Sequence, residues 1–199
     1  VGINAEQYAT LMKPLNGTRV ASRKQGGKNL SYLESWDVRA HLIRVFGFGN
    51  FDVELVDYGF VHQREYKSAQ DKEMVEVIWR AKVQLTIRDA EGNHLARYTE
   101  GAVGATSGPE NMIGEHHDNA LKTAESDALK RCAINLGTQF GLSLYNDGSR
   151  NDVVKGTLVV PEGYVKPGPT PEQQQALQQS LGATVIEDST VNEKQETPA

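Results

Sequence analysis

MVEVIWRAKVQLTIR, residues 74–88, decides the fold. Val75, Val77, Trp79, Ala81, Val83, Leu85 and Ile87 alternate with Glu76, Ile78, Arg80, Lys82, Gln84, Thr86 and Arg88. That is the period of a long strand with one apolar and one wet face. Working outward, FDVELVDYGFV (51–61) is strand-like but changes phase near Asp57, the pattern a bulge leaves. DAEGN (89–93) is a turn into HLARYTEGAV (94–103). The three segments predict an antiparallel meander whose outer face is solvated.

Upstream, RVASR (19–23) and NLSYLE (29–34) flank KQGGK (24–28), a hairpin whose glycines free the backbone at its tip. SWDVRAHLIRVFG (35–47) follows as a helix stopped by Gly47. Downstream, a long helix is expected from near Gly114 to Gly141. At 100° per residue, Leu121, Ala124, Ala128, Leu129, Cys132, Leu136 and Phe140 share one arc that packs on the sheet. Lys130, Arg131 and Asp127 fall roughly opposite, away from that core. The fold class is α+β: hairpin, helix, three-stranded meander and long helix over residues 1–148. Residues 149–199 are read as a flexible acidic tail rich in Pro and Gln, too polar to offset the entropy of ordering. Within it EQQQALQQSL could form a short helix, marginal by itself in water.

Charge is segregated along the chain. The net charge of −5 argues against a generally basic nucleic-acid binder. Residues 1–48 nevertheless hold seven Lys or Arg against three acids, and residues 149–199 hold four against seven. A lone cysteine, Cys132, excludes an internal disulfide framework or a cysteine-cluster zinc site. No apolar run reaches membrane-spanning length and no secretory leader is visible, so a soluble intracellular protein is expected.

Most chemical motifs read plainly. GAVGATSGPE (101–110) lacks the Lys-Ser or Lys-Thr of a phosphate loop and is expected to be a turn. In EHHD (115–118) the adjacent histidines point about 100° apart on a helix and do not converge on one ion. Glu115 and Asp118 there suit a helix N-terminus, and Asp118 is spaced to pair with Lys122. Cys132 reads as a small core residue, and no catalytic set is assembled. Arg80, Lys82 and Arg88 read first as a solvated sheet face. The hairpin is different: Arg23, Lys24 and Lys28 surround glycines whose amides can approach an anion, and Tyr32 offers a flat ring to a base. The plainer reading of Lys130 and Arg131 is a solvated helix face with an Asp127–Arg131 pair.

Taken in order, the hairpin with Arg23 and Tyr32, YLESWDVRAHLIRVFGFGNF, the meander, EGAVGATS and KTAESDALKRCAINLGTQFG resemble the Rad fifty-two family of single-strand annealing proteins. The resemblance covers about residues 5–145, its most specific parts being the tyrosine-hydrophobic-glutamate run, the Phe-Gly pair after the first helix, and DALKR followed by glycine. It implies a homo-oligomeric ring that binds single-stranded DNA in an outer basic groove. Complementary strands would anneal there without ATP, in recombination and repair, with no cofactor and no enzymatic step. By position, Arg23, Tyr32, Lys130 and Arg131 match groove residues; Lys24 and Lys28 are added on local charge. The family helix has a further basic residue where this chain has Ile134. The basic residues the family carries upstream are missing from GAVGATSGPENM, so a second DNA site is not carried over. A bacterial or phage protein of the cytoplasm or nucleoid is expected, whose tail limits nonspecific DNA contact or meets a single-strand-binding protein or exonuclease. A non-annealing nucleic-acid module and a metal-dependent nuclease built on EHHD are the alternatives.

Overall fold

The meander forms as the alternation predicts. In the computed structural model, which describes residues 2–168, 171, 172, 174–176, 178 and 179, β1 (Val20–Gln25) and β2 (Lys28–Leu33) make a hairpin. β3 (Phe51–Lys67), β4 (Glu73–Arg88) and β5 (His94–Pro109) make a separate antiparallel sheet in that order. Central β4 buries Val75, Val77, Ala81, Val83, Leu85 and Ile87 and leaves Arg80 and Lys82 exposed. The phase change in β3 is a register shift between Leu55 and Asp57, and a second lies between Phe60 and His62. α2 (Ser35–Phe46) ends at Gly47, whose φ of 84° suits glycine. The fold is α+β.

GAVGATSGPE is not a turn: β5 runs through it to Pro109. Its glycines make room for α3 (Ile113–Ala133), which crosses β4 and β5. A Cβ on Gly104 would overlap the Ala120 carbonyl oxygen and stand 2.6 Å from Ala124 N, and one on Gly108 would enter the His116 ring. Facing the sheet, Ala120, Ala124 and Ala128 have no exposed surface. Glycine on the strand and alanine on the helix bring the two backbones together, so a stretch with the composition of a loop has the conformation of a strand.

α3 also stops earlier than expected. It ends at Ala133, and the chain continues as two 3-10 turns, Ile134–Leu136 and Thr138–Phe140, separated by Gly137 at φ 98°. The Asn135 amide donates to the carbonyls of Arg131 (3.3 Å) and Cys132 (3.1 Å), satisfying two of the last helix acceptors from its own side chain. Leu136 and Phe140 therefore reach the core from turns, and the buried helical face is Ala120, Ala124, Ala128, Leu129, Cys132 and Ala133. The Cys132 thiol donates to the carbonyls of Val83 and Tyr98, and burial pushes its pKa up, as befits a core residue.

Two short helices add to the expected elements. α1 (Ala5–Leu11) begins with a reciprocal capping box between Asn4 and Gln7, and α4 (Leu142–Asn146) follows Gly141. Beyond 148 the chain has no regular element through 168, yet the Tyr8 hydroxyl meets that of Thr157 at 2.7 Å and the Tyr8 ring stands edge-on to Tyr164 at 4.6 Å. Contacts divide the chain after Tyr164. The described residues between 171 and 179 are helical, whereas EDSTVNEKQETPA lies outside the described residues.

One core joins Leu33 of the hairpin, Val38, Leu42 and Phe46 of α2, Val83, Leu85 and Ile87 of β4, Leu129 and Cys132 of α3, and Phe140. His41 of α2 is buried beside Phe140, with ring centroids 4.9 Å apart. Burial first, then the Arg19 and Arg44 charges, lower its pKa from 6.5 to about 4, against an opposing pull from Asp37.

Two outcomes follow from this packing. Gly104→Ala should lower the free energy of unfolding by about 1–3 kcal/mol through overpacking, whereas Gly101→Ala should change it by less than about 1 kcal/mol. At Gly101 an added Cβ meets only the Ala81 carbonyl oxygen, at 3.6 Å; urea unfolding of both variants measures the difference. For His41, the unfolded chain takes up a proton near pH 6.5 that the fold refuses until about pH 4, so its contribution is complete above 6.5 and lost on acidification towards 4. Between pH 7 and pH 5 that linkage removes about 2 kcal/mol, and His41→Leu should flatten the pH dependence of urea unfolding by that amount.

Candidate nucleic-acid interface

The hairpin lies against the C-terminal half of α3, and its base is fixed from below. Arg19, just before β1, donates through Nε and Nη2 to both carboxylate oxygens of buried Asp37 on α2, at 2.8–3.2 Å. Its Nη1 donates to the backbone and side-chain oxygens of Gln139, whose amide nitrogen donates on to the carbonyls of Lys13 and Pro14. Leu33 at the end of β2 is buried in the core, and Gly141, at φ 92°, lies close under it.

Between hairpin and helix is a cleft of about 410 Å³. Arg23, Tyr32, Lys130 and Arg131 all line it. The half-buried Tyr32 ring has the Arg23 guanidinium 5.4 Å from its centroid and Lys130 Nζ 5.7 Å from it, both within cation–π range. The Tyr32 hydroxyl donates to Glu34 at 3.3 Å. The register explains the meeting: Arg23 pairs with Leu30 and Ala21 with Tyr32, so Arg23 and Tyr32 are diagonal neighbours on one face of the hairpin.

The added hairpin lysines separate by the same rule. Lys28 pairs with Gln25 and shares the cleft face, beyond the cleft itself, whereas Lys24 pairs with Asn29 on the opposite face. Both are exposed. On α3 the two cations also differ. Arg131 is exposed, as a side chain directed away from the core should be. Lys130 is not: its side chain is 18% exposed because the hairpin covers it, and it takes Asp127 as partner at 2.6 Å, in place of the Asp127–Arg131 pair. Among the described residues Arg131 and Arg23 form no ion pair. Asp127 and the largely exposed Tyr145 of α4 also line the cleft. Tyr145 has no sequence signal, because Gly141 marks a helix end in the sequence and α4 begins just after it.

The EHHD residues serve the fold. His116 is buried with Nε2 3.0 Å from the Pro109 carbonyl, and His117 Nδ1 accepts from Trp79 Nε1 at 2.9 Å. Asp118 pairs with Lys122 as its spacing predicts. Among the described residues no group of three His, Cys, Asp or Glu side chains is placed to hold a metal, and no helix is long and apolar enough to cross a membrane.

A cleft that frames an aromatic ring with two cations and adds a third at its lip suits a polyanion carrying flat bases. A comparison with curated proteins returned no match. The sequence profile described as Rad52/22 family double-strand break repair protein matches residues 4–158, from the cap of α1 through the strand and helix elements to the segment that meets Tyr8. The chain belongs to the Rad52/22 family, whose members anneal DNA strands in recombination and repair.

Proposed function

We propose that this chain binds single-stranded DNA in the hairpin–helix cleft and anneals complementary strands without ATP or metal. The convergence of Arg23, Tyr32, Lys130 and Arg131 on one cleft, from segments a hundred residues apart in the chain, carries the reading. Phosphates lie towards Arg23, Lys130 and Arg131 while bases stay outward and free to pair. Backbone contacts release counterions and make affinity depend on salt, and the lack of base-edge readers gives little sequence preference. Pairing energy then drives annealing, and the protein's part is to hold the strand extended.

The chain acts as a ring of identical subunits in this proposal. Leu55, Val56, Tyr58, Phe60 and Val61 on β3 are between 38% and 55% exposed, a run of large apolar side chains that suits an interface between copies. In a closed ring each copy adds one short basic stretch to a shared track, so an acidic subunit can still present a continuous positive path.

Lys130→Ala with Arg131→Ala should weaken binding of an oligothymidylate at least tenfold, about 1.4 kcal/mol per decade. It should leave the subunit folded, since Arg131 is exposed and the Asp127 carboxylate that loses Lys130 is itself 37% exposed to water. Fluorescence annealing of complementary oligonucleotides in EDTA without ATP tests the activity: binding with no acceleration of annealing would leave only a nucleic-acid-binding module. Phe60→Glu should shift the native mass from a ring to smaller species while the isolated subunit stays folded; an unchanged mass would remove β3 from the interface.

A further inference from the structure

The hairpin–helix cleft continues into a second concavity that shares Ala102, Val103 and Arg131 with it. This second space straddles the edge of β5, which pairs with β4 on one side only. Its remaining cations come from the other face of the sheet. Cross-strand partners share a face, so Lys82 stands beside Gly101 and Arg80 beside Val103, on the solvated side. Arg131 reaches the same edge from α3, on the packed side.

Gly101 leaves a gap in the outermost strand. A Cβ there would have only the Ala81 carbonyl within 4 Å, so no side chain stands between Lys82 and the β5 edge at that position. The two cations differ in what already holds them. Arg80 is ion-paired with Asp57 and lies across Gly59 on β3, where a Cβ would be 3.1 Å from its guanidinium, so it is directed away from β5. Lys82 is exposed and, among the described residues, forms no ion pair. One acid, half-buried Glu100, lines the concavity against three cations.

We propose that Lys82 is a further DNA-backbone residue, taking a phosphate of the same single strand after that strand passes Arg131 and crosses the β5 edge beside Gly101. The inference rests on the cleft being the single-stranded DNA groove. It adds a turn to the path, from the packed side of the sheet to its solvated face, and lengthens the stretch of strand each subunit holds. The ligand is the sugar-phosphate backbone, because a lone ammonium carries no information about bases.

The test uses the full chain and fluorescein-labelled oligothymidylates of increasing length, with anisotropy read over a series of salt concentrations. Lys82→Ala should weaken binding of the longer oligomers about threefold to tenfold and flatten the log–log salt slope by about 0.7 per subunit contact, the value for one phosphate of a single strand. Oligomers short enough to fill only the cleft should bind as to the unchanged protein. Lys82→Arg should restore the long-oligomer affinity, and Lys67→Ala, which removes an exposed lysine at the far end of β3, should have no effect. If Lys82→Ala binds every length normally while Lys130→Ala with Arg131→Ala loses binding, the extension is wrong and the cleft stands. Equal losses from Lys82→Ala and Lys67→Ala would reduce the effect to general charge and overturn the site. Normal binding by all variants, the cleft pair included, would remove the cleft reading and this inference with it.

Discussion

Arg19 keeps its guanidinium inside the protein, and the geometry of the cleft depends on where it is held. It forks onto Asp37, whose side chain is 4% exposed, and gives its other terminal nitrogen to Gln139. Four segments meet at this one cation: the entry to the hairpin, α2, the turn after α3 and, through the Gln139 amide, the chain at Lys13 and Pro14. A buried pair of this kind returns little net stability, because desolvating both charges offsets most of their attraction. Its effect is to disfavour alternatives, since any arrangement that separates Arg19 from Asp37 strands a carboxylate among apolar side chains. The hairpin is therefore fixed at its base, and Tyr32, on the cleft face of β2, is held over Lys130.

The other side of the cleft is positioned by shape. Gly104 and Gly108 on β5 let the alanine face of α3 settle close against the sheet, and side chains on the helix flanks are carried towards the β5 edge. Lys130 and Arg131 are adjacent in sequence and about 100° apart on the helix, so the hairpin covers one and leaves the other at the lip. An acidic protein obtains a basic surface here by placement: Arg23, Lys130 and Arg131 converge on one cleft, while carboxylates elsewhere, such as Asp52, Asp57 and Asp118, pair with Arg88, Arg80 and Lys122 near them.

The elements legible from sequence were those with a strong local period or stop signal. Alternation in residues 74–88 gave β4, its disturbance at Asp57 gave the first bulge, and Gly47 gave the end of α2. What sequence could not show was set by contacts distant in the chain. GAVGATSGPE has turn composition, and only the approach of Ala120 and His116 explains strand glycines there. The end of α3 was missed because apolar spacing continues through Leu136 and Phe140, while the side chain of Asn135 and the positive φ of Gly137 end the helix. Of the six candidate site residues, the four carried by resemblance line one cleft; of the two added on local charge, Lys28 shares the cleft face of the hairpin and Lys24 stands on the opposite face.

The ion pair between Lys130 and Asp127 bears on how a strand would be held in the proposed groove. Lys130 is largely covered, and Asp127 partners its charge at 2.6 Å. A phosphate arriving there exchanges one anion for another, and the net gain is smaller than for a cation previously facing water. In the proposed groove Arg131, unpaired among the described residues, would give the larger electrostatic gain, and Lys130 would chiefly fix position beside the Tyr32 ring. In the proposed ring each subunit's grip would then be modest. A protein that must release strands once they have paired is better served by many such contacts in series than by a few tight ones, because local contacts can be lost while the rest hold the strand. The acid in the cleft and the proposed repetition around a ring are thus two parts of one physical solution.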